Sequence, residues 1–275
     1  SYVIPAEEWI DCGANGYRVT IPSIAVTACR TKYSLVCKKD GKAVSNLFTA
    51  GIEEYAGMAE ATGKYVLVLH DDLCTDSFNF TAAMAKKLAS LDQFCVVPRL
   101  NSNGLQTIPV NFIPGVNRSV LEITSTVNCA DGTPTLYAFD QVGFYDREKF
   151  IRLGGADYTL TSAYWQNLDL AFRAWLWGER ISISSAFQFT YNSDVPGEEQ
   201  TPDASYLRFY LKNLLPVFEI DHAYIPKSSF FTFRLRSSFS MAESIRQFKN
   251  ASKWTEENKY RFKCDASLLI ENWGK

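Results

Sequence analysis

The feature that most constrains the fold is an uninterrupted apolar run, YVLVL at residues 65–69, which ends in His70, Asp71 and Asp72. An apolar run of this length predicts a strand that is buried on both faces, as in a parallel sheet. Two adjacent carboxylates repel each other and lose hydration when they are buried. Their position indicates either a site that uses negative charge or a turn in which one of them caps the next helix.

Helices and strands alternate around this run. Their alternation predicts a mostly parallel central sheet flanked by helices, in which ligands bind at the carboxyl ends of the strands. Asp71 and Asp72 would lie at such an end. The predicted elements are strands over 17–28, 33–39, 64–69 and 94–97, the last stopped by Pro98, and helices over 44–60, 78–91 and 162–178.

A change of character after residue 200 predicts a second part of the chain. Residues 1–200 carry the alternating pattern, whereas 201–275 are helical in spacing, aromatic and basic. We therefore predict an α/β domain over 1–200 and a C-terminal helical extension over 201–275.

The composition argues against several classes of protein. A net charge of −2 argues against a nucleic-acid partner, and 47% hydrophobic residues can bury a core. Seven widely spaced cysteines without a CxxC pair predict free thiols in a reducing compartment. No stretch reaches the ~20 apolar residues needed to cross a bilayer, and the first residues lack a signal-peptide pattern. These features predict a cytoplasmic protein.

A longer motif follows in residues 140–181, DQVGFYDREKFIRLGGADYTLTSAYWQNLDLAFRAWLWGERI. Its Leu-Gly-Gly-x-Asp, Leu-Asp-Leu-x-x-Arg and Gly-x-Arg-Ile phrases resemble the acceptor-side half of family 2 glycosyltransferases with the GT-A fold. The segment from Asn46 to Gly63 and the carboxylates after residue 69 resemble the elements that precede it in that family. The resemblance covers about residues 25–190.

The resemblance implies transfer of a sugar from a nucleoside diphosphate donor. Asp72 would hold Mg²⁺ or Mn²⁺ on the diphosphate, with Asp71 as a second ligand. Asp40, Asn46 and His70, together with Asp71, would contact the donor. His70 stands where the family has the first aspartate of its metal motif.

Three alternatives exist for the general base, because Asn167 stands where the family has an aspartate. An amide does not take up a proton at neutral pH. Asp169 and Asp157 of the GGAD turn are the alternatives, and a chain that binds without transfer is the third. Asp169 and Asn167 would face one acceptor only if the helix began near Asn167. Otherwise Asp169 would form an i,i+4 pair with Arg173.

Aromatic and basic residues suggest which kind of acceptor the chain would bind. Tyr164 and Trp165 lie beside the inferred acceptor site, where their rings would pack on a glycan. The basic, aromatic residues after 201 are compatible with a solvated helix face or with peripheral contact to a membrane that carries a lipid-linked acceptor.

Three functions follow in order of support. The first is metal-dependent, inverting glycosyl transfer to a glycan or lipid-linked acceptor. The second is a catalytically silent sugar-nucleotide or glycan-binding protein on the same fold, which Asn167 favours. The third is a nucleotidyltransferase, for which residues 28–33, ACRTKY, form a poor phosphate loop.

Overall fold

The computed structural model describes Met58 and residues 61–70, 72–74, 80–118, 120–127 and 130–274, together with the backbone of short strands before residue 50. The chain forms two compact units, residues 1–52 and 53–275. The predicted boundary after residue 200 stays a prediction.

In the part of the first unit that the structure describes, three antiparallel pairs of two-residue strands are present. They are β1 (Ile10–Asp11) with β2 (Tyr17–Arg18), β3 (Ser34–Leu35) with β6 (Phe48–Thr49), and β4 (Lys38–Lys39) with β5 (Lys42–Ala43). The helix predicted over 44–60 is therefore wrong at residues 48–49. An aromatic and a β-branched residue beside a partner strand favour extended backbone over helix there.

The second unit is built on a five-stranded sheet in the order β7-β12-β9-β13-β8. A separate antiparallel hairpin is formed by β10 and β11, and β14 pairs with β15. The strands are β7 (Tyr65–Val68), β8 (Leu73–Cys74), β9 (Cys95–Asn101), β10 (Asn111–Asn117), β11 (Val120–Thr126), β12 (Gly143–Asp146), β13 (Ile181–Tyr191), β14 (Val217–Glu219) and β15 (His222–Tyr224).

The sheet is mostly antiparallel in its pairings, contrary to the prediction. β12 is antiparallel to both β7 and β9, β8 is antiparallel to β13, and β13 alone runs parallel to its neighbour β9. The cause is β12, which lies between two strands of the opposite direction. β7, β9 and β13 nevertheless run the same way, so their carboxyl ends lie at one edge of the sheet.

Pro98 lies inside β9 instead of ending it. Its partner is Ser184, where the register between β9 and β13 shifts before Gln188. A proline has no N–H to give to a ladder, and an irregularity in the partner strand is where a sheet tolerates it.

Helices cover the sheet and form the end of the chain. The helix predicted over 162–178 spans Ala163–Leu176, with the Ser162 hydroxyl accepting from the Trp165 N–H. The helices are α1 (Ala82–Ala89), α2 (Arg147–Arg152), α3 (Ala163–Leu176), α4 (Ala204–Phe209), α5 (Ser229–Arg236), α6 (Met241–Asn258) and α7 (Ala266–Glu271), and a π-helical turn at Tyr210–Leu214 follows α4.

One large apolar core holds the second unit together. It contains the inner faces of β9, β12, β13 and α3, and it takes in Phe209, Phe262 and Leu269 from the end of the chain. A smaller cluster beneath α5 and α6 centres on Phe233 and Leu211. Among the described residues, Cys74, Cys95 and Cys264 are free cysteines. No helix in the described part of the chain is long and apolar enough to cross a bilayer.

Candidate functional site

The carboxyl ends of β7, β9 and β13 bring together what we call the strand-edge cluster: His70, Asp72, Asp140 and Tyr191. The chain passes from β7, at one side of the sheet, to β8, at the other, between Val68 and Leu73. Leu69, His70 and Asp72 therefore lie along the edge where the parallel-running strands end. Asp140 reaches the same edge because it precedes β12, which runs in the opposite direction.

His70 is oriented by Asp140. The His70 Nε2 lies 2.6 Å from the Asp140 carbonyl oxygen and 3.6 Å from its Oδ2. A carbonyl oxygen only accepts, so Nε2 carries the proton in this hydrogen bond. The Tyr191 hydroxyl donates to Asp140 Oδ2 at 3.1 Å. Asp140 thus connects the end of β7 to the end of β13, which gives the edge a fixed shape.

Asp140 adopts an unusual backbone conformation to do this. Its φ is 50° and that of Gln141 is 62°, both in the left-handed region that L-residues other than Asn and Asp seldom enter. The turn directs the Asp140 carbonyl at His70 immediately before β12 begins. Strained backbone of this kind tends to occur at functional sites.

Asp72 has an unsatisfied carboxylate oxygen. Its backbone carbonyl accepts from the Asn192 N–H at 2.7 Å, which fixes the residue against the end of β13. Its Oδ1 is buried and has no hydrogen-bond partner among the described residues. A buried carboxylate oxygen without a partner is costly, and a cation or a donor from a ligand would satisfy it.

The other residues predicted for the donor and the metal are not described. Asp40, Asn46 and Asp71 lie outside the described residues. Within the described part of the chain, no group of three or more His, Cys, Asp or Glu side chains is arranged to hold a metal ion.

Helix α3 begins too early for Asn167 and Asp169 to face one acceptor. Ser162 is its N-cap, so both residues lie within the helix. The Asn167 amide donates to the Ala138 carbonyl at 2.8 Å, whereas Asp169 contacts Arg173 and the C-terminal residues. Two residues of separation place them about 200° apart around the helix, and the condition for their cooperation is not met.

Asp169 belongs instead to a buried ion cluster. Its side chain has no exposed surface, and its carboxylate lies 2.9 Å from Arg173, 3.3 Å from Lys212 and 2.7 Å from the Asn213 amide. The i,i+4 pair with Arg173 is thus present. Lys212 also lies 2.9 Å from Asp157, so two carboxylates meet two buried cations. Lys212 and Asn213 project from the π-helical turn.

Asp157 is held ionised in the same cluster. Burial by itself would raise the pKa of Asp157, but the charge of Lys212 and hydrogen bonds from Thr159 and Lys212 outweigh it and hold the pKa well below its ordinary value. A carboxylate with so low a pKa is a weak base.

Tyr164 and Trp165 pack inside the core. Each is 7% exposed. The Trp165 ring lies 4.8 Å from that of Tyr164, 5.0 Å from Tyr206 and 5.6 Å from Phe209, and its Nε1 donates to the Thr201 carbonyl. In this arrangement the rings are covered by protein.

Glu198 is a carboxylate that the sequence reasoning missed. It accepts a hydrogen bond of 2.7 Å from the Tyr137 hydroxyl, and the Tyr137 ring meets that of Tyr164, in the first turn of α3, edge to face. Burial, and then the charge of Glu198, raises the pKa of Tyr137 and keeps it a donor. Glu198 is half-buried on the loop after β13. The available signal was the acidic pair Glu198-Glu199 in the loop that follows β13.

Comparisons with known proteins include a distant structural likeness. No family model matches the sequence, and no curated protein is similar to it. Among solved structures, a crystal structure of GalNAc-T7 with UDP, GalNAc and Mn²⁺ is similar at 12% identity and a TM-score of 0.45, over 80% of this chain and 43% of that one. This chain therefore spans less than half the length of that protein.

Removal of one charge from the buried ion cluster should destabilise the protein. We expect Lys212→Ala to lower the free energy of unfolding by about 3–5 kcal/mol, because Asp169 and Asp157 would each lose a buried counter-ion. Denaturant titration followed by tryptophan fluorescence measures the change. Lys263→Ala, at an exposed lysine, is the control and should stay within about 0.5 kcal/mol of the parent. Equal stability of both variants would contradict the assigned role of Lys212.

Proposed function

We propose that this chain is a glycosyltransferase that binds a nucleoside diphosphate sugar at the strand-edge cluster and transfers the sugar to a hydroxyl of a glycan or lipid-linked acceptor. The observation that carries the proposal is Asp72, whose buried Oδ1 lacks a partner among the described residues at the carboxyl edge of the sheet. In open α/β sheets, ligands bind at the carboxyl ends of the parallel strands, and β7, β9 and β13 share that edge here although β12 and β8 run the other way. The family 2 resemblance of residues 140–181 supports the same reaction.

A divalent cation fits this position. Mg²⁺ and Mn²⁺ prefer carboxylate oxygens and are commonly held by one or two carboxylates together with substrate phosphates and water. Asp72, together with Asp71, would hold it. When bound, the cation neutralises charge on the diphosphate leaving group.

Neighbouring side chains would then fix the donor. His70 is held by the Asp140 carbonyl, and we propose that it contacts the donor from this constrained position. Asp140, with its carboxylate held by Tyr191, positions His70. Asp40 and Asn46, which lie outside the described residues, are proposed to contact the base or ribose.

We propose Glu198 as the general base. In an inverting transfer, the base takes the proton of the acceptor hydroxyl while that oxygen attacks the anomeric carbon and the nucleoside diphosphate departs. Asp169 is buried and bonded to Arg173, Lys212 and Asn213. Asp157 is ionised beside Lys212. Both carboxylates that the sequence suggested as the base, Asp169 and Asp157, therefore form ion pairs with buried cations. Glu198 is half-buried beside the beginning of α3 and accepts a hydrogen bond from the Tyr137 hydroxyl, so we propose its carboxylate for this role.

A catalytically silent binding protein is the second candidate. Asn167 favours it, since this amide donates to the Ala138 carbonyl and is 4% exposed. In that case the strand-edge cluster would hold a sugar nucleotide without transfer. Donor binding is common to both candidates, whereas transfer separates them.

Donor binding is tested by calorimetric titration with UDP, GDP, CDP and dTDP and their sugars, with and without Mn²⁺. We expect one nucleotide to bind, and its affinity to rise with Mn²⁺. Asp72→Asn should remove the metal-dependent part of the binding, because the amide cannot replace the anionic oxygen ligand. Asp194→Asn, on the exposed loop after β13, is the control. The absence of binding to every nucleotide, or binding indifferent to Mn²⁺ and to Asp72→Asn, would overturn the proposal.

The role of Glu198 is tested with the isosteric variant Glu198→Gln. We expect kcat to fall by about 10²–10⁴, the range for loss of a general base, with donor affinity unchanged. Glu199→Gln changes the neighbouring, exposed carboxylate and should keep full activity. The measurement is the rate at which the nucleoside diphosphate product is released at saturating donor and acceptor. Full activity of Glu198→Gln would exclude it as the base, and donor binding without transfer in the parent chain would favour the silent binding protein.

A further inference from the structure

Helix α5 (Ser229–Arg236) exposes large apolar side chains on the face that points away from the core. Phe231 is 73% exposed and Leu235 is 90% exposed, while Phe233, between them, is fully buried. Residues four apart share a helix face, and residues two apart lie on nearly opposite faces. Phe231 and Leu235 therefore form one outward-facing apolar stripe, which we call the α5 stripe.

The surroundings of the α5 stripe are positively charged. The sequence from residue 222 to 242 contains Lys227, Arg234 and Arg236 but no aspartate or glutamate. No carboxylate of the described residues forms an ion pair with Lys227 or Arg234. On α6, by contrast, cations pair with nearby acids, as Arg246 does with Glu243. Positive charge at Lys227 and Arg234, without a paired carboxylate among the described residues, thus lies beside the exposed apolar residues.

Packing against α6 (Met241–Asn258) holds the stripe in place. Phe230 and Phe233 of α5 contact the ring of Phe248, with centroid distances of 5.4 Å and 6.4 Å. Ser237 Oγ and Ser244 Oγ lie 3.5 Å apart, so the end of α5 meets the first turns of α6. The inner face of α5 is therefore anchored, and its outer face is presented on a fixed support.

We propose that the α5 stripe docks on an anionic lipid surface. Phe231 and Leu235 would enter the boundary between head groups and acyl chains, and Lys227 and Arg234 would meet the lipid phosphates. Interfacial helices combine apolar and basic residues in this way, and long basic side chains can keep their charge at the head-group level while their stems contact apolar surface. The positive charge of Lys227 and Arg234 beside the stripe favours an anionic membrane over a neutral apolar partner.

This proposal stands independently of glycosyl transfer. It predicts surface attachment of the protein whether or not the strand-edge cluster binds a sugar nucleotide. If both proposals hold, attachment through α5 would bring the chain to a lipid-linked acceptor.

Vesicle co-sedimentation of the full chain tests the proposal. We expect binding to vesicles that contain phosphatidylglycerol, and at least about tenfold weaker binding to pure phosphatidylcholine vesicles or in high salt, because salt screens the phosphate contacts. The double variant Phe231→Ser/Leu235→Ser should bind the anionic vesicles at least about tenfold more weakly, since it loses both inserted side chains. Because both substitutions are at exposed positions, the circular dichroism and thermal midpoint of the double variant should match those of the parent chain.

Leu105→Ser serves as the control, because Leu105 is 76% exposed on a loop outside α5; it should bind like the parent chain. The proposal is overturned if the parent binds neither kind of vesicle, binds both equally, or binds the anionic vesicles no better than the double variant does. Sedimentation velocity without lipid tests for self-association of the chain. If the parent chain self-associates, the double variant does not, and neither binds vesicles, then a second copy of this chain occupies the α5 stripe. That result would overturn the lipid proposal.

Discussion

The carboxylate of Asp169, buried without any exposed surface, makes the contacts on which the second unit depends. A charge in that position is tolerated only with close partners. Arg173 supplies one from the same helix, and Lys212 and Asn213 supply two from the π-helical turn after α4. Arg173 also donates to the carbonyls of Leu153 and Gly155. One set of ion pairs and hydrogen bonds therefore holds together the turn after α2, the helix α3 and the π-helical turn at Tyr210–Leu214.

This use of Asp169 changes the expected chemistry of the site. The phrase around Asn167 resembles an acceptor-binding motif, but in the folded chain its remaining carboxylate neutralises buried cations. The acidic function that the motif suggests would fall to a residue closer to the surface. Glu198 is separated from α3 in the sequence, yet the contact of Tyr137 with Tyr164 brings it to the beginning of that helix. Proton transfer and structural charge balance would then belong to different carboxylates.

Part of this arrangement could be predicted from the sequence. The apolar run before His70 and the helical spacing of residues 162–178 are local signals, and the structure has a strand and a helix there. The direction of β12, the inclusion of Pro98 in β9 and the contact between His70 and Asp140 depend on strand order, which local patterns do not encode. Glu198 was missed for the same reason, because its partner Tyr137 is 61 residues away. Asp169 was ambiguous because an i,i+4 pair with Arg173 and an exposed base have the same sequence pattern.

Crystallography with manganese tests the proposed donor site most directly. Crystals of the full chain would be grown with Mn²⁺ and the nucleoside diphosphate that binds best, and the metal located by its anomalous signal. The proposal predicts a peak at ligand distance, about 2.0–2.6 Å, from an Asp72 carboxylate oxygen, with the diphosphate beside it and the base toward the carboxyl ends of β7, β9 and β13. Nucleotide and metal bound at another surface, or a saturated crystal with no manganese near Asp72, would contradict it.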